Sequence, residues 1–212
     1  MVTFVFILCV IAGYLLGSVC SAVIVCRLFA LPDPRTEGSN NPGATNVLRI
    51  AGKQYAIIVL IADIMKGLLP VLLAKLLGGG PIIQGFTCLA AVLGHMFPVF
   101  FDFKGGKGVA TTIGGLLAMN FILGTVVIAV WLIVVNFTRY VSLASMVAII
   151  LSPFFSLFAY RNELAFTPLL LVVFFVLYKH RNNMNRLIDG TEPKIVFRSE
   201  RRAANDEDEI IT

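Results

Sequence analysis

Four polar segments interrupt an otherwise apolar chain of 212 residues, and their residue types suit the binding of phosphate. The first, EGSNNPGATNVLR, ends with Arg49, whose planar guanidinium can bind phosphate through two hydrogen bonds. Its glycines and proline predict turns in which successive free backbone amides can surround an oxyanion. Alternatively, its Asn and Ser side chains only cap helix ends in a re-entrant loop, but an arginine where the chain returns to helix favours anion binding. The candidate phosphate-binding residues are Ser39, Asn41, Thr45, Asn46 and Arg49.

The second segment, FKGGKGVAT at 103–111, lies where one apolar segment ends and the next begins. Glycines let the backbone approach a ligand closely, and the amides of the following helix point toward the same position. It is not a Walker A loop, because Lys107 is followed by Gly108 rather than by Ser or Thr. The lysines could instead contact lipid headgroups, but the glycines on both sides of Lys107 favour phosphate binding. The candidates here are Lys104, Gly105, Gly106 and Lys107.

The third and fourth segments, TRYVSLAS and YKHRNNMNRL, add hydroxyl, imidazole and amide groups. Ser142 and Ser145 are predicted to lie near the start of a helix, where serine side chains usually bond their own backbone, so each alone favours a structural role. His180 and Asn183 are three residues apart and would share one helix face. A histidine just after a membrane span is usually an interface residue, so neither His180 nor Asn183 alone indicates catalysis.

Other polar residues within the apolar segments are interpreted as structural. His95 is assigned a packing role, and Asp63 and Lys66, three residues apart, are predicted to form an ion pair that stabilises the helix bundle. The chain contains no His-x-x-x-x-Asp acyltransferase box, no His/Cys/Asp cluster with metal-ligand spacing and no carboxylate pair in the polar segments. We therefore predict neither a metal nor another cofactor.

The composition is that of a polytopic membrane protein. Hydrophobic residues make up 58% of the chain and charged residues 14%, and the mean hydropathy is +0.90. The net charge of +5 fits basic cytoplasmic loops, and nothing indicates nucleic-acid binding. The four cysteines lack paired spacing and are predicted to be packing residues: Cys9, Cys20, Cys26 and Cys88.

Candidate spans follow from the apolar segments. As one helix, the thirty residues of 109–138 would extend roughly 45 Å, which exceeds the hydrocarbon core of about 30 Å. We predict a break at Met119-Asn120. The last segment has only fifteen residues, so neighbouring residues must extend it if it is to cross the membrane. The six segments are 2–26, 55–77, 81–101, 109–138, 141–160 and 164–178.

The distribution of basic residues predicts the topology. If all basic clusters face the cytoplasm, an even number of crossings must lie between Lys107 and Arg139, so 109–138 should form two short or re-entrant crossings. We predict an all-α protein with seven transmembrane helices, the N-terminus outside and the C-terminus and polar segments cytoplasmic. Residues 1–195 would form one membrane-embedded domain, Arg161 and Glu163 would face outward, and 196–212 would be a polar, disordered tail.

These motifs, in this order, resemble the bacterial acyl-phosphate:glycerol-3-phosphate acyltransferase family (PlsY). The similarity extends from GYLLGSVCSA through GHMFPVFFDFKGGKGVAT and RYVSLAS to HRNNMNRLIDGTEPKI, residues 13 to about 195. The resemblance implies transfer of a fatty acyl group from acyl phosphate to the 1-position of glycerol 3-phosphate, giving lysophosphatidic acid in the bacterial inner membrane. It implies glycerol 3-phosphate, fatty acyl phosphate and membrane lipids as partners.

The resemblance also implies residue roles and shows two departures. It assigns phosphate and glycerol contacts to Ser39, Arg49, Lys107, His180 and Asn183, and places Ser145 beside the acyl carbonyl. The family's usual Gly-Ser-Gly-Asn is here Gly-Ser-Asn-Asn, with Asn40 at the second glycine; Asn tolerates a left-handed backbone. The family's usual acidic residue before Asn183 is here Asn182.

The residue types fit that chemistry. Acyl phosphate is already activated, so bringing two anions together with Arg, Lys and amide dipoles is the main task. With no carboxylate expected in the site, the donor's own phosphate is the preferred proton acceptor and His180 is the competing one. A transporter for a phosphorylated metabolite is the alternative function, but it would need polar groups on both sides of the membrane. A non-catalytic scaffold would not explain four polar motifs on one side.

Overall fold

The protein is described by a computed structural model that covers residues 2–160 and 164–195. The predicted disordered tail and the outward-facing Arg161 and Glu163 lie outside the described residues. Within the described residues, every regular element is an α-helix. The helices are α1 (Val2–Gly17), α2 (Ser21–Leu28), α3 (Ala44–Ile50), α4 (Lys53–Leu76), α5 (Pro81–Met96), α6 (Val109–Met119), α7 (Phe121–Thr138), α8 (Val141–Tyr160), α9 (Phe166–Lys179) and α10 (Arg181–Ile188).

Several helices are suited to a lipid environment, where a helix satisfies its own backbone hydrogen bonds. In the described part of the chain, four segments are long and apolar enough to cross a membrane: Val2–Leu28, α4, α7 and α8. The apolar helices α5, α6 and α9 are shorter. The Val2–Leu28 segment is interrupted between Gly17 and Ser21. In this gap, Lys66 Nζ donates to the carbonyl of Val19 at 2.8 Å.

The predicted break in 109–138 is confirmed. Helix α6 ends at Met119, α7 begins at Phe121, and the Asn120 side chain accepts a hydrogen bond from Leu123 N at 3.1 Å as an N-cap. Lys75, near the end of α4, donates to the carbonyls at the end of α6. The two short helices therefore have defined ends rather than forming one bent helix.

Helices α4 and α6 approach each other closely through glycine. A Cβ at Gly67 would lie 1.9 Å from the carbonyl oxygen of Thr111, and one at Gly114 would lie 1.9 Å from that of Ile64. Only glycine permits this backbone contact, which is typical of helices packed in membranes. The contact brings the buried polar residues of α4 alongside the N-terminal half of α6, where the second polar segment ends.

A second set of contacts joins α5, α6, α8 and α9. Met96, Leu116, Ile149 and Leu169 are fully buried in one apolar cluster. Arg139, between α7 and α8, has a left-handed backbone and accepts a hydrogen bond from Ile195 N at 2.9 Å. This bond holds the chain after α10 against the start of α8, next to the cavity described below.

Candidate active site

One cavity of about 670 Å³ brings together residues from all four polar segments. Because these segments are far apart in sequence, their convergence is a property of the fold and not of any single loop. The cavity wall includes nine of the twelve candidate residues: Ser39, Asn41, Thr45, Asn46, Arg49, Lys107, Ser145, His180 and Asn183.

Another part of the cavity wall is apolar. Leu60 and Ile64 come from α4, Ile113 from α6, and Ile128 and Leu132 from α7. Ile128 lies ten residues before the end of α7, or roughly 15 Å along the helix axis. The cavity therefore joins a polar region at the loops to an apolar region between helices, so it is suited to a molecule with a charged head and an aliphatic chain.

The first polar segment is organised by Asn46, which is 1% exposed. Its Oδ1 accepts a hydrogen bond from Ser39 N at 2.8 Å, and its Nδ2 donates to the carbonyls of Pro34 and Glu37, both at 2.9 Å. Because the side-chain amide is used within the loop, Asn46 holds the shape of the segment. Asn40 adopts φ 55°, so the left-handed backbone expected at this departure from the family pattern is present.

Arg49 lies in α3 and faces the cavity from this segment. The residue is exposed, and its guanidinium forms no hydrogen bond or ion pair with other described residues. Its donors are therefore available to an anionic ligand.

Lys107 reaches the cavity from the second segment. Its Nζ donates to Asn183 Oδ1 at 2.6 Å, which joins the second segment to the fourth. Burial, opposed by Glu192 and assisted by Arg186 and Arg49, lowers the pKa of Lys107 to about 8. The following residue, Gly108, has φ 84° and leads directly into the first turn of α6. The ammonium is thus protonated at neutral pH, and Lys107 precedes the start of α6 by two residues in the chain.

The other three candidates of this segment do not line the cavity. Lys104 is exposed outside it. A Cβ at Gly105 would lie 2.0 Å from His95 O, and one at Gly106 would lie 2.3 Å from His95 Nε2. The two glycines therefore allow the loop to pack against the end of α5, where Gly106 N donates to His95 O at 3.1 Å.

A carboxylate lies in the cavity wall, so the expectation of a site without one is wrong. Glu192, which is 9% exposed, accepts hydrogen bonds from Ser142 Oγ at 2.5 Å and Asn183 Nδ2 at 2.7 Å, both at Oε1. Arg186 Nε donates to its Oε2 at 2.8 Å. Burial acts to raise the pKa of Glu192, but these hydrogen bonds outweigh it and keep the pKa below its ordinary value.

Glu192 is not among the residues predicted from the sequence, because it follows the fourth polar segment. The sequence feature that could have indicated Glu192 is Gly190, just after the amphipathic helix α10. In the structure Gly190 has φ 70°, and the chain turns there toward α8. The sequence likewise predicts that the Ser142 hydroxyl bonds its own backbone, but in the structure it donates to Glu192 Oε1. The result is a continuous series of hydrogen bonds from Ser142 through Glu192 and Asn183 to Lys107.

His180 is 2% exposed and neutral at physiological pH. Its Nδ1 lies 2.8 Å from Val176 O, which can only accept, so Nδ1 carries the hydrogen and Nε2 is an acceptor. Burial, followed by the charge of Lys107, lowers the pKa of His180 to about 4. A histidine with this pKa is a weak base at pH 7.

Ser145 and Trp131 form the junction between the polar and apolar walls. Ser145 Oγ donates to Val141 O at 2.8 Å and accepts from Trp131 Nε1 at 3.1 Å. Ser145 thus shows the expected backbone bond and also has a second partner on α7.

The predicted Asp63–Lys66 ion pair is confirmed, with 2.8 Å between Oδ1 and Nζ. His95 Nδ1 lies 3.6 Å from the same carboxylate oxygen, and Asp63 and His95 both line the cavity. Within residues 2–160 and 164–195, no group of three His, Cys, Asp or Glu side chains could hold a metal ion. The lack of a cofactor remains a prediction.

Comparison with known proteins identifies the family. A sequence model described as glycerol-3-phosphate acyltransferase matches residues 7–190. The chain belongs to this family of acyltransferases. The glycerol-3-phosphate acyltransferase of Legionella pneumophila strain Corby is 62% identical over 193 residues, which cover 91% of this chain and 70% of that protein. The Francisella tularensis subsp. novicida protein of the same name is 52% identical over 185 residues, 87% of this chain and 90% of its own.

Solved structures of this family agree with the fold. The integral membrane glycerol 3-phosphate acyltransferase PlsY (YgiH), in its glycerol 3-phosphate form, is 40% identical with a TM-score of 0.86, covering 90% of this chain and 96% of that one. Its lysophosphatidic acid form is 39% identical with a TM-score of 0.83, covering 90% and 95%. The protein is therefore an integral membrane acyltransferase with an all-helical fold.

Proposed function

We propose that this acyltransferase moves a fatty acyl group from acyl phosphate to the 1-hydroxyl of glycerol 3-phosphate, forming lysophosphatidic acid and inorganic phosphate. One observation carries the proposal: the cavity combines Arg49 and Lys107, two cations from separate polar segments, with an apolar wall between helices. The two cations suit two phosphate-bearing substrates and the apolar wall suits an acyl chain. The glycerol 3-phosphate and lysophosphatidic acid forms of the similar solved protein support the same acceptor and product.

The reaction is a displacement at the acyl carbonyl carbon. The 1-hydroxyl oxygen of glycerol 3-phosphate forms a bond to this carbon, and negative charge develops on the carbonyl oxygen. The bond between the carbon and the bridging oxygen then breaks, and phosphate leaves with that oxygen. Arg49, Lys107 and the first amides of α6 reduce the repulsion between the two anions and hold them together.

The donor's own phosphate is the preferred acceptor of the hydroxyl proton. As the carbon–oxygen bond breaks, the donor's phosphate becomes inorganic phosphate, which is a stronger base than an imidazole with a pKa of about 4. His180, with its pKa lowered to about 4, is better suited to accept a hydrogen bond at Nε2 than to remove a proton. Proton transfer to the leaving phosphate also completes the reaction without a covalent enzyme intermediate.

The remaining candidates have supporting roles. Asn46 holds the backbone amide of Ser39 in place. The Ser39 hydroxyl, together with Asn41 and Thr45, can then contact the phosphate or glycerol oxygens. Asn183 connects Lys107 with Glu192, which keeps the ammonium pointing into the cavity. Ser145, near the apolar wall, is placed to contact the acyl carbonyl.

The membrane arrangement that fits this reaction has seven crossings. The Val2–Leu28 segment, α4, α5, α6, α7, α8 and α9 would cross the bacterial inner membrane, with the N-terminus outside. The cavity's polar residues would then face the cytoplasm, where the charged acceptor is dissolved, and the acyl chain would enter from the lipid. The second, third and fourth polar segments carry Lys or Arg and no acid, which supports a cytoplasmic side for them.

A donor comparison tests the proposal. The purified full-length protein would be incubated with glycerol 3-phosphate and either palmitoyl phosphate or palmitoyl-CoA, and products would be measured by mass spectrometry. We expect lysophosphatidic acid and stoichiometric phosphate from palmitoyl phosphate and no product from palmitoyl-CoA, without added metal. Comparable turnover with palmitoyl-CoA would refute the proposed donor, and loss of activity with EDTA that Mg²⁺ restores would refute the lack of a cofactor.

A further inference from the structure

We propose that Trp131 is a positioning residue for acyl transfer, acting through its hydrogen bond to Ser145. Trp131 is the single tryptophan of the chain, on α7, and none of the four polar segments includes it. Its indole Nε1 donates to Ser145 Oγ across the α7–α8 interface at 3.1 Å. This inference rests on the proposed function, because it assigns a role at the acyl carbonyl.

The location of Trp131 suits a group that aligns the acyl donor. The side chain is half-buried and lines the cavity together with Ile128 and Leu132 of the same helix, so its ring forms part of the apolar wall. Ser145 lies about one turn inside α8, next to the polar residues around Ser142. The hydrogen bond therefore marks the boundary at which an aliphatic chain would meet its phosphate head.

The hydrogen-bond pattern defines what Trp131 can do. Ser145 Oγ–H donates to Val141 O, a carbonyl one helical turn earlier, and one Oγ lone pair is occupied by the indole N–H. The indole fixes the oxygen and polarises the hydroxyl, which makes Ser145 a better donor. As charge grows on the acyl carbonyl oxygen, the hydroxyl can rotate from Val141 O to that oxygen. No proton leaves Ser145 in this step.

The same pattern separates this role from simple packing. A packing role would depend on the volume of the ring, whereas the positioning role depends on the N–H. Trp131→Phe removes the N–H and keeps an aromatic ring, and Phe137→Leu changes an aromatic residue of α7 that is 83% exposed and lies outside the cavity wall. These two variants form a matched pair on one helix.

Steady-state kinetics with palmitoyl phosphate and glycerol 3-phosphate test the role. Trp131→Phe should lower kcat by about tenfold, the scale of one lost hydrogen bond, while KM for glycerol 3-phosphate stays within about twofold. Phe137→Leu should match the parent. Trp131→Phe combined with Ser145→Ala should be no slower than Ser145→Ala alone, because the tryptophan acts through the serine. Parent-like kcat in Trp131→Phe, or losses that multiply in the double variant, would overturn the inference.

Tryptophan fluorescence separates failure of this inference from failure of the proposed function. Emission from the parent arises from Trp131 alone, so Ser145→Ala should shift it in the ligand-free protein by removing the indole's hydrogen-bond acceptor. An unchanged spectrum would show that the bond is absent in solution. If the parent does not turn over palmitoyl phosphate, the proposed donor fails, whereas the spectral shift still reports on the Trp131–Ser145 bond.

Discussion

At the scale of single residues, the ionisation of Lys107 should be visible in the pH dependence of the reaction. Its pKa is lowered to about 8, so the ammonium loses its proton as the pH rises through this value. We expect kcat/KM for glycerol 3-phosphate to fall above about pH 8, approaching roughly tenfold per pH unit. Lys107→Arg should move this decline to higher pH, because arginine stays protonated.

Lys104→Arg is the matched control for that profile. It changes a lysine of the same loop that is exposed outside the cavity, so the decline should stay near pH 8. A decline that moves with Lys104→Arg and not with Lys107→Arg would contradict the placement of the two lysines.

His180 should not control the pH profile near neutrality. Because its pKa is lowered to about 4, the imidazole is neutral from about pH 5 upward. We expect His180→Ala to reduce activity through a lost contact while the shape of the profile between pH 5.5 and 8 remains, as measured by kcat at saturating substrates. Disappearance of an acidic decline in this variant would identify His180 as the base instead.

Single residues also show where sequence interpretation succeeds and where it stops. Arg49 and Lys107 could be predicted from the sequence. A cation beside glycines, or where the chain returns to helix, indicates anion binding in an otherwise apolar chain. Glu192 and Trp131 were not, because one follows the last polar motif and the other lies within an apolar helix. Their roles depend on contacts with Ser142 and Ser145, which are distant in sequence.

At the scale of helices, the boundary between α6 and α7 depends on Asn120. Its side chain caps α7 by accepting a hydrogen bond from Leu123 N. Asn120→Ala should lower the free energy of unfolding by about 1 kcal/mol, the usual effect of losing an N-cap. Thermal unfolding in detergent would measure this, with Asn136→Ala, an exposed position of the same helix, as the control. Equal midpoints for the two variants would contradict the capping role.

Helix lengths explain why this break was predictable and others were not. A thirty-residue apolar segment is too long for one crossing, so the length of 109–138 and its basic flanks required a break. The gap between α1 and α2 has no such signal, because Ser18, Val19 and Cys20 read as part of a continuous apolar segment. Within this gap, the ammonium of Lys66 donates to the Val19 carbonyl from a different helix, a contact that the local sequence does not indicate.

At the scale of the whole molecule, seven crossings would place the α6–α7 boundary on the outer side of the membrane. After replacement of the native cysteines, which are buried, a cysteine at Phe121 should react with an impermeant thiol reagent added outside. A cysteine at Thr191, an exposed position beside the cavity, should react only after the inner side is opened. Labelling of position 121 from the inner side alone would exclude seven crossings.

The activity of three single-residue variants tests whether two cations in one cavity drive the reaction. Arg49 and Lys107, from separate polar segments, both line the cavity, and we propose that they hold two phosphates together there. We expect Arg49→Ala and Lys107→Ala each to lose at least ~100-fold in kcat/KM, the scale of one preorganised charge-stabilising group. Lys104→Ala, which removes a lysine outside the cavity, should remain close to the parent. Full activity in both Arg49→Ala and Lys107→Ala would contradict the account.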